Sequence, residues 1–389
     1  MKILHVCLSN FYIDGYAYQE NMLVAEHVRA GHSVHVLAST ETFGTDGKLT
    51  YINSSSYMGS DGAIVERLPY RFTSFSHFFA RKFRAYVGLT ARLEEIAPDV
   101  IVFHGLCGFA LLEVAKYVKR NPRVVLYADS HEDFNTSARG LLSKWLLHFM
   151  CYRVIFQISL PEISKVFCIS KETVLFVRDF YGCPEIKIEF LPLGGKIFSD
   201  EEYNELRKTS RAEYQWGKDV RVFVQSGKFD TKKRLLDSLK AFSALPNKNL
   251  RLMLTGVFMD DIKEQAEELV RNDSRIINLG WLDTQRLTSL LVGADVYLQP
   301  GSQSATMQMA LCCRKPVIIA DVVSHRALVS SNAWLVSSIH SLNDALSSAA
   351  CIQQSELESM SSQSTMIAKT LLDYAIQAKK FTRGTQDET

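Results

Sequence analysis

The stretch PGSQSATMQMALCCRKPVIIAD, Pro300 to Asp321, decides how this chain is read. A short apolar run, Val296 to Gln299, ends at it in Pro-Gly and serines; an apolar helix-like run follows, then Pro316 and a second strand-like run, Val317 to Ala320. Strand, loop, helix, strand is the repeating unit of a parallel α/β sheet. Small polar residues stand where the helix begins. Such a start presents unpaired backbone N–H groups and the positive end of the helix dipole, so it suits a phosphate or a sugar hydroxyl.

Outward from this segment the same alternation recurs. In the first half, strand-like runs fall at Lys2 to Leu8, His32 to Ser39, Ile64 to Leu68, Val100 to His104, Val124 to Ala128 and Val166 to Ile169, with helical stretches between them. In the second half they open at Val220, Leu250, Val296, Val317 and Trp334. The expected fold class is α/β, with two Rossmann-like parallel-sheet domains facing across a cleft at the carboxyl ends of their strands. Residues 1–192 form the first domain in this reading, and Leu191-Pro192-Leu193-Gly194-Gly195 is the hinge. A charged, poorly apolar connection occupies 193–218, the second domain 219–355, and a C-terminal helix and tail 356–389, which can cross back to the first domain.

Composition narrows the function. The chain has 389 residues, 47% of them hydrophobic, enough for two cores, and a formal charge of +2 that predicts no strong nonspecific attraction to nucleic acid. Its eight cysteines include no CxxC pair and lie mostly in apolar runs, so they read as reduced core residues. MKILHVCLSN reads as a buried strand rather than a secretory signal, and a cytoplasmic location is expected. The run Trp145 to Leu160 is interrupted by His148, Arg153 and Gln157 and falls short of the roughly 20 residues that span a bilayer. Lys144, Trp145, His148 and Arg153, together with Arg81, Lys82, Arg84 and Arg92 near Phe75, Phe78 and Phe79, combine basic and aromatic groups. That combination suits either a peripheral contact with the cytoplasmic membrane face or a core-facing helix with a solvated edge.

Three loops at strand ends carry candidate chemistry. Asp14-Gly15-Tyr16 lies between the first strand and the first helix, where glycine lets a ligand approach the backbone or makes an ordinary turn. His131, in ADSHEDFNTSARG, sits beside Glu132 and Asp133. An imidazole there can exchange a proton or bond a sugar hydroxyl, and flanking acids would raise its pKa if close; a polar structural loop uses the same residue types. Gly227 and Lys228 end the run VRVFVQSGK, and Lys232, Lys233 and Arg234 follow at a helix start, where clustered cations oppose the dipole unless an anion such as a diphosphate is present; exposed lysine clusters, however, cost little. No GxSxG, P-loop or HExxH occurs, and Asp260-Asp261 reads as a solvated helix start, so no metal is expected.

Taken in order, DGYAYQEN, GHSVHVLAS, PDVIVFHG, the His131 loop, CISKET, LPLGG, SGKFDTKKRLL, LGWLDTQRLTSLLVGADVYLQP and ALCCRKPVI resemble a bacterial retaining glycosyltransferase of the GT-B fold, glycosyltransferase family 4 (group 1), over nearly the whole chain. The resemblance implies an enzyme of the hexosyltransferase type. It would move a sugar from a UDP-, GDP- or TDP-sugar to a lipid-linked or oligosaccharide acceptor, with no further cofactor and no metal, in bacterial surface polysaccharide synthesis. It implies donor contacts at Gly15, Gly227 and the base-lining segment Gly280, Trp281, Leu282, and acceptor contacts at Asp14, Tyr16, Glu132 and Asp133. His131 would contact the transferred sugar, and Lys228 and Lys233 the diphosphate. The family's Glu-x7-Glu motif is degenerate: Gly301 and Met309 stand where the glutamates belong, and Arg314 replaces a usual glycine. Ser302, Gln303, Ser304, Thr306 and Gln308 are the expected substitutes for some of the lost hydrogen bonds, and the N–H groups around Ala305 would act with Lys228 and Lys233 on the departing diphosphate. A catalytically silent sugar-nucleotide-binding or scaffold subunit is the alternative, and a sugar-nucleotide epimerase a further one.

Overall fold

Apolar runs such as KILHVC and VIVFH are buried along their length, which requires a sheet covered on both faces. The computed structural model describes residues 1–44, 48–72, 77–133, 151–302 and 304–382. The chain divides into two units, Met1–Pro192 together with the segment from Tyr374 onward, and Leu193–Asp373.

The strands of the first unit are β1 (Lys2–Cys7), β2 (Ser33–Ser39), β3 (Glu41–Phe43), β4 (Leu49–Tyr51), β5 (Ser56–Met58), β6 (Ile64–Leu68), β7 (Val100–His104), β8 (Val125–Ser130), β9 (Ile163–Cys168) and β10 (Ile188–Phe190). Eight of them form a sheet in the order β10-β9-β8-β7-β1-β2-β6-β5, parallel throughout except for β5 at its edge. β3 and β4 make a separate antiparallel pair. Crossover helices cover the faces. In the helix Phe109–Arg120, the buried Ala110, Leu111, Val114 and Val118 repeat at helical spacing and pack on the sheet's core. A leucine in such a stripe contributes about 1.5–3 kcal/mol relative to exposure.

The opposite face of β1, β7 and β9 is closed by the chain's own C-terminal segment. Tyr374, Ala378 and the fully buried Phe381 pack with Ile3, Val100, Val102 and Phe167. Gln377 Nε2 donates to the Pro192 carbonyl at 2.8 Å and Lys380 pairs with Glu189 at 2.7 Å.

The second unit holds β11 (Arg221–Phe229), β12 (Leu250–Phe258), β13 (Ile276–Asn278), β14 (Val296–Gln299), β15 (Val317–Ala320) and β16 (Ala333–Val336), all parallel, in the order β13-β12-β11-β14-β15-β16. Its core gathers Phe223, Leu252, Leu254, Leu298 and Ile318 with Leu235, Phe242 and Leu346 of the covering helices.

The charged stretch 193–218 is not a loose connection. It contains the helix Asp200–Glu213, opened by a reciprocal capping box between Ser199 and Glu202. Its basic residues meet a largely buried carboxylate: Arg207 lies 2.5 Å and Arg211 3.4 Å from Asp295, which also accepts the Val222 N–H at 2.8 Å. The helix therefore belongs to the second unit. Arg314 adds to the attachment. It adopts a left-handed φ of 62°, a backbone region that glycine enters most readily, and its guanidinium is 2.6 Å from Asp200, 3.0 Å from the Phe198 carbonyl and over the Tyr203 ring at 4.3 Å.

Candidate functional site

In the second unit the candidate residues gather where β11 and its neighbours β12 and β14 end. The strand pair β11 and β12 runs on to Gly227 opposite Gly256. A Cβ on Gly256, at φ 144°, would lie 1.8 Å from the Gly227 carbonyl oxygen, so no side chain fits between these strand ends. The Lys233 side chain passes over Gly227, with its Cε 3.6 Å from the place a Cβ would take, and its Nζ donates to the Ser302 carbonyl at 3.2 Å. Ser302 N in turn donates to the Lys232 carbonyl at 2.9 Å, and Gly301 sits against the backbone of Lys232 and Lys233. The loops after the adjacent strands β11 and β14 are thereby locked together, and Lys233 is carried to the approach of the helix Ala305–Cys312. Burial lowers the Lys233 pKa, against the pull of Asp230. Lys228 is exposed at the end of β11.

The basic cluster does not itself require an anion. Asp230 caps the turn Thr231–Lys233, Arg234 pairs with Asp237 at 2.8 Å in the first turn of the next helix, and Asp261 accepts both the N–H and the hydroxyl of Thr231 at 2.9 and 2.6 Å. Asp261 is thus a loop clamp. Among the described residues no group of three or more His, Cys, Asp or Glu is arranged to hold a metal ion.

The serine-rich loop is also partly turned inward. The Ser304 hydroxyl accepts the Thr306 N–H at 3.3 Å and the Ser304 carbonyl accepts the Met307 N–H at 3.1 Å, so two donors of the helix start are already engaged. Beneath them lies Tyr297, which the sequence reading passed over. Its fully buried hydroxyl is 3.0 Å from both Ser226 Oγ and Gln299 Oε1, the Ser304 and Thr306 hydroxyls also bond it, and burial pushes its pKa up to about 12. Ala305 and Ser302 are exposed, Gln308 and Met309 half-buried, and Gln303 lies outside the described residues. The Gly280 carbonyl accepts from Gly256 N at 2.8 Å and Thr255 Oγ1 at 3.0 Å, which fixes the next two residues: Leu282 buried, Trp281 66% exposed.

In the first unit, Gly15 at φ 79° closes the turn Ile13–Tyr16, with open space where a side chain would be. Asp14 is already paired, 2.9 Å from the buried Arg67 and 2.7 Å from the Tyr57 hydroxyl, while Tyr16 is exposed. His131 follows β8. The adjacent Glu132 is not one of the carboxylates near it. Glu132 turns to the Cys107 thiol at 2.6 Å and the Tyr181 hydroxyl at 3.0 Å, whereas His131 Nε2, buried and without a hydrogen-bond partner among the described residues, lies 3.8 Å from Glu20 and 3.9 Å from Asp129. Glu20 comes from the first helix, Gln19–Arg29, and Asp129 from β8. Asp133 is half-buried.

Of the basic and aromatic set, Lys144, Trp145, His148 and Phe75 lie outside the described residues. Arg81 pairs with Glu41, and Arg92 with Glu66 at 2.6 Å and with Glu95. Nearby, a cavity of about 1270 Å³ is lined by Phe72, Phe79, Phe83, Phe109 and Leu112, with Lys116, Lys119, Arg120 and the Arg71–Glu113 pair also in its lining. No helix among the described residues is long and apolar enough to cross a membrane.

Residues 21–194 match glycosyltransferase family 4, and residues 220–351 match the glycosyl transferases group 1 family. No curated protein sequence matches the chain. Among solved structures, it is similar to sucrose-phosphate synthase from Thermosynechococcus elongatus, with 13% identity, TM-score 0.68 and 100% of both chains covered. It is also similar to the Anabaena protein HepE in complex with UDP, with 14% identity, TM-score 0.66 and 100% of both chains covered. A third is WaaG, a glycosyltransferase involved in lipopolysaccharide biosynthesis, at 16% identity and TM-score 0.61 over 99% of this chain and 100% of that one. At such identities the structures speak for the fold, and the two family matches speak for the activity. The chain belongs to glycosyltransferase family 4, group 1, and is a hexosyltransferase-type glycosyltransferase of the GT-B fold, built from two Rossmann-like parallel-sheet units.

Proposed function

We propose that this enzyme takes a sugar from a nucleotide diphosphate sugar and adds it, with retention at the anomeric carbon, to a lipid-linked glycan in bacterial surface polysaccharide synthesis. The observation that carries the donor half is the joining of the loops after β11 and β14, which brings Lys233 to the loop before the helix Ala305–Cys312. Lys228, Lys233 and the Ala305 end of that helix act on the diphosphate as charge develops on it; fixed cations and dipoles aimed at developing charge are usually the largest catalytic term. Trp281, exposed beside Gly280, offers a ring face to the base. His131 holds the transferred sugar. The acceptor's nucleophilic hydroxyl attacks the anomeric carbon from the face the diphosphate leaves, and the departing phosphate takes the hydroxyl's proton. The apolar cavity, whose lining also holds Lys116, Lys119 and Arg120, supports an acceptor with a lipid part and an anionic link, reached from the cytoplasmic face of the membrane. HepE, a structural neighbour, is described with UDP, which supports a nucleotide-sugar donor.

The deciding experiment incubates the protein with UDP-, GDP- and TDP-sugars and follows nucleotide release with and without acceptor lipids. Release from one donor that acceptor accelerates supports the reading; binding of a donor with no release under any condition sinks it in favour of a silent subunit.

Because the diphosphate is met by fixed cations, transfer is expected to continue in EDTA. An assay in which EDTA abolishes turnover and Mg²⁺ restores it would contradict this. Met309 stands where the family's ribose-binding glutamate belongs, and it is half-buried rather than enclosed. Met309→Glu should therefore keep the melting temperature and tighten the donor about tenfold, the effect of one charge-assisted hydrogen bond. Calorimetry and a melting curve check both; a lower melting temperature without gain in affinity would show that this position does not face the ribose.

A further inference from the structure

A buried chain of three histidines runs through the first unit. His27 Nε2 meets the Ala378 carbonyl at 3.0 Å, His27 Nδ1 meets His5 Nε2 at 2.9 Å, and His5 Nδ1 meets His104 Nε2 at 2.9 Å. His104 Nδ1 then meets Asp129 Oδ2. The other oxygen of Asp129 accepts the Gly105 N–H at 2.9 Å and lies 3.9 Å from His131 Nε2. All four side chains are nearly or wholly excluded from solvent. β1, β7 and β8, adjacent in the sheet, supply His5, His104 and Asp129, and the first helix supplies His27.

The hydrogens of this chain can be counted. It has four bonds, and both of its ends, a carbonyl and a carboxylate, are acceptors when Asp129 is ionised. Each bond needs one hydrogen, and three neutral imidazoles bring three. The Ala378 carbonyl fixes the direction: His27 donates from Nε2 and so accepts at Nδ1, His5 donates from Nε2 and accepts at Nδ1, and His104 donates from Nε2. A neutral His104 would then turn a bare Nδ1 toward a carboxylate. One further proton is required between them.

We infer that His27, His5, His104 and Asp129 share one proton more than neutral imidazoles carry, held as a His104 imidazolium against the Asp129 carboxylate, and that the three histidines are positioning residues keeping Asp129 beside His131. The second half rests on the reading of His131 as the sugar contact.

The electrostatics agree with the count. Burial acts against a charged His104, but the Asp129 carboxylate outweighs it and raises the His104 pKa, while the same partner holds Asp129 low despite burial. Burial, then the neighbouring histidines, keep His5 well below its ordinary value, and burial pushes His27 down to about 4. Among the described residues, the other groups facing the chain include Glu20, held by Asn10 at 2.9 Å, the Cys7 and Cys168 thiols, His131, and His32, whose ring is 6.1 Å from His27. An unpaired charge at this depth would be costly; a shared proton leaves the unit neutral.

Nitrogen-15 spectra of histidine-labelled full-length protein read the proton count directly. His104 is expected to show both ring nitrogens protonated at neutral pH, and His5 and His27 one each, on Nε2; three neutral rings would overturn the His104 imidazolium. His5→Gln keeps an acceptor for His104 and a donor for His27 and should retain the His104 imidazolium, whereas His5→Leu should lose it. On the donor that the nucleotide-release panel selects, His5→Leu should lower kcat roughly tenfold or more with little change in KM, and His5→Gln should restore it. Wild-type kcat in His5→Leu would overturn the positioning role. A panel that finds no donor would count against the transferase reading alone, because the spectra still decide the proton.

Discussion

Lys233→Ala is expected to lower transferase turnover by about ten- to a hundredfold while the protein stays folded. A charge-assisted hydrogen bond to phosphate is worth about 1.5–3 kcal/mol, and more if it strengthens as the diphosphate departs. Lys233 is held for that task by the side chain's path over Gly227 and its bond to the Ser302 carbonyl, and the half-burial that lowers its pKa also leaves its charge poorly screened by water. Lys228 is exposed, so Lys228→Ala should act in the same direction and less strongly. Steady-state kinetics with the donor found by nucleotide release test both. Unchanged turnover in the two variants would remove the diphosphate from this loop.

The largest loss of stability is expected at Asp295. Its carboxylate takes Arg207, Arg211 and the Val222 N–H, and it is only 8% exposed. Asp295→Ala leaves two partly buried guanidinium groups without their anion, which costs about 3–5 kcal/mol. Asp295→Asn keeps the shape and an acceptor for Val222, and should cost less. Denaturant unfolding of both variants checks the order; an Asp295→Ala protein within about 1 kcal/mol of wild type would mean that the helix Asp200–Glu213 is held by packing alone.

How legible this was in the sequence depended on where the stabilising partners lie. β6, β7, β14 and β15 are read at their observed ends because each is a compact apolar run between turn residues. β10 and β13, each of three residues, carry no such signal; β13 forms because β12 offers it a free edge. The helix Asp200–Glu213 escaped for a related reason: it is charged along its length, and the partners that fix it, Asp295 and Arg314, lie some 90 or more residues away. In the site, Lys233 and the glycine turns were visible as residue types at strand ends. The acids around His131 were not, since a loop residue's neighbours in sequence need not be its neighbours in space, and Glu132 points to Cys107 instead. One signal was available and unused. KILHVC and VIVFH each place a histidine in a strand whose other buried residues are apolar, where an imidazole must find a partner.

The return of the C-terminal segment to the first sheet bears on how the protein is born. On a ribosome the first 192 residues emerge early, yet the residues that close one face of their sheet, Tyr374, Ala378 and Phe381, are translated only after the whole of the second unit, about 180 residues later. At ordinary elongation rates that delay is roughly 10 to 40 seconds. For that time Ile3, Val100, Val102 and Phe167 lack their cover, and the nascent chain presents an apolar face to whatever chaperone or membrane is at hand.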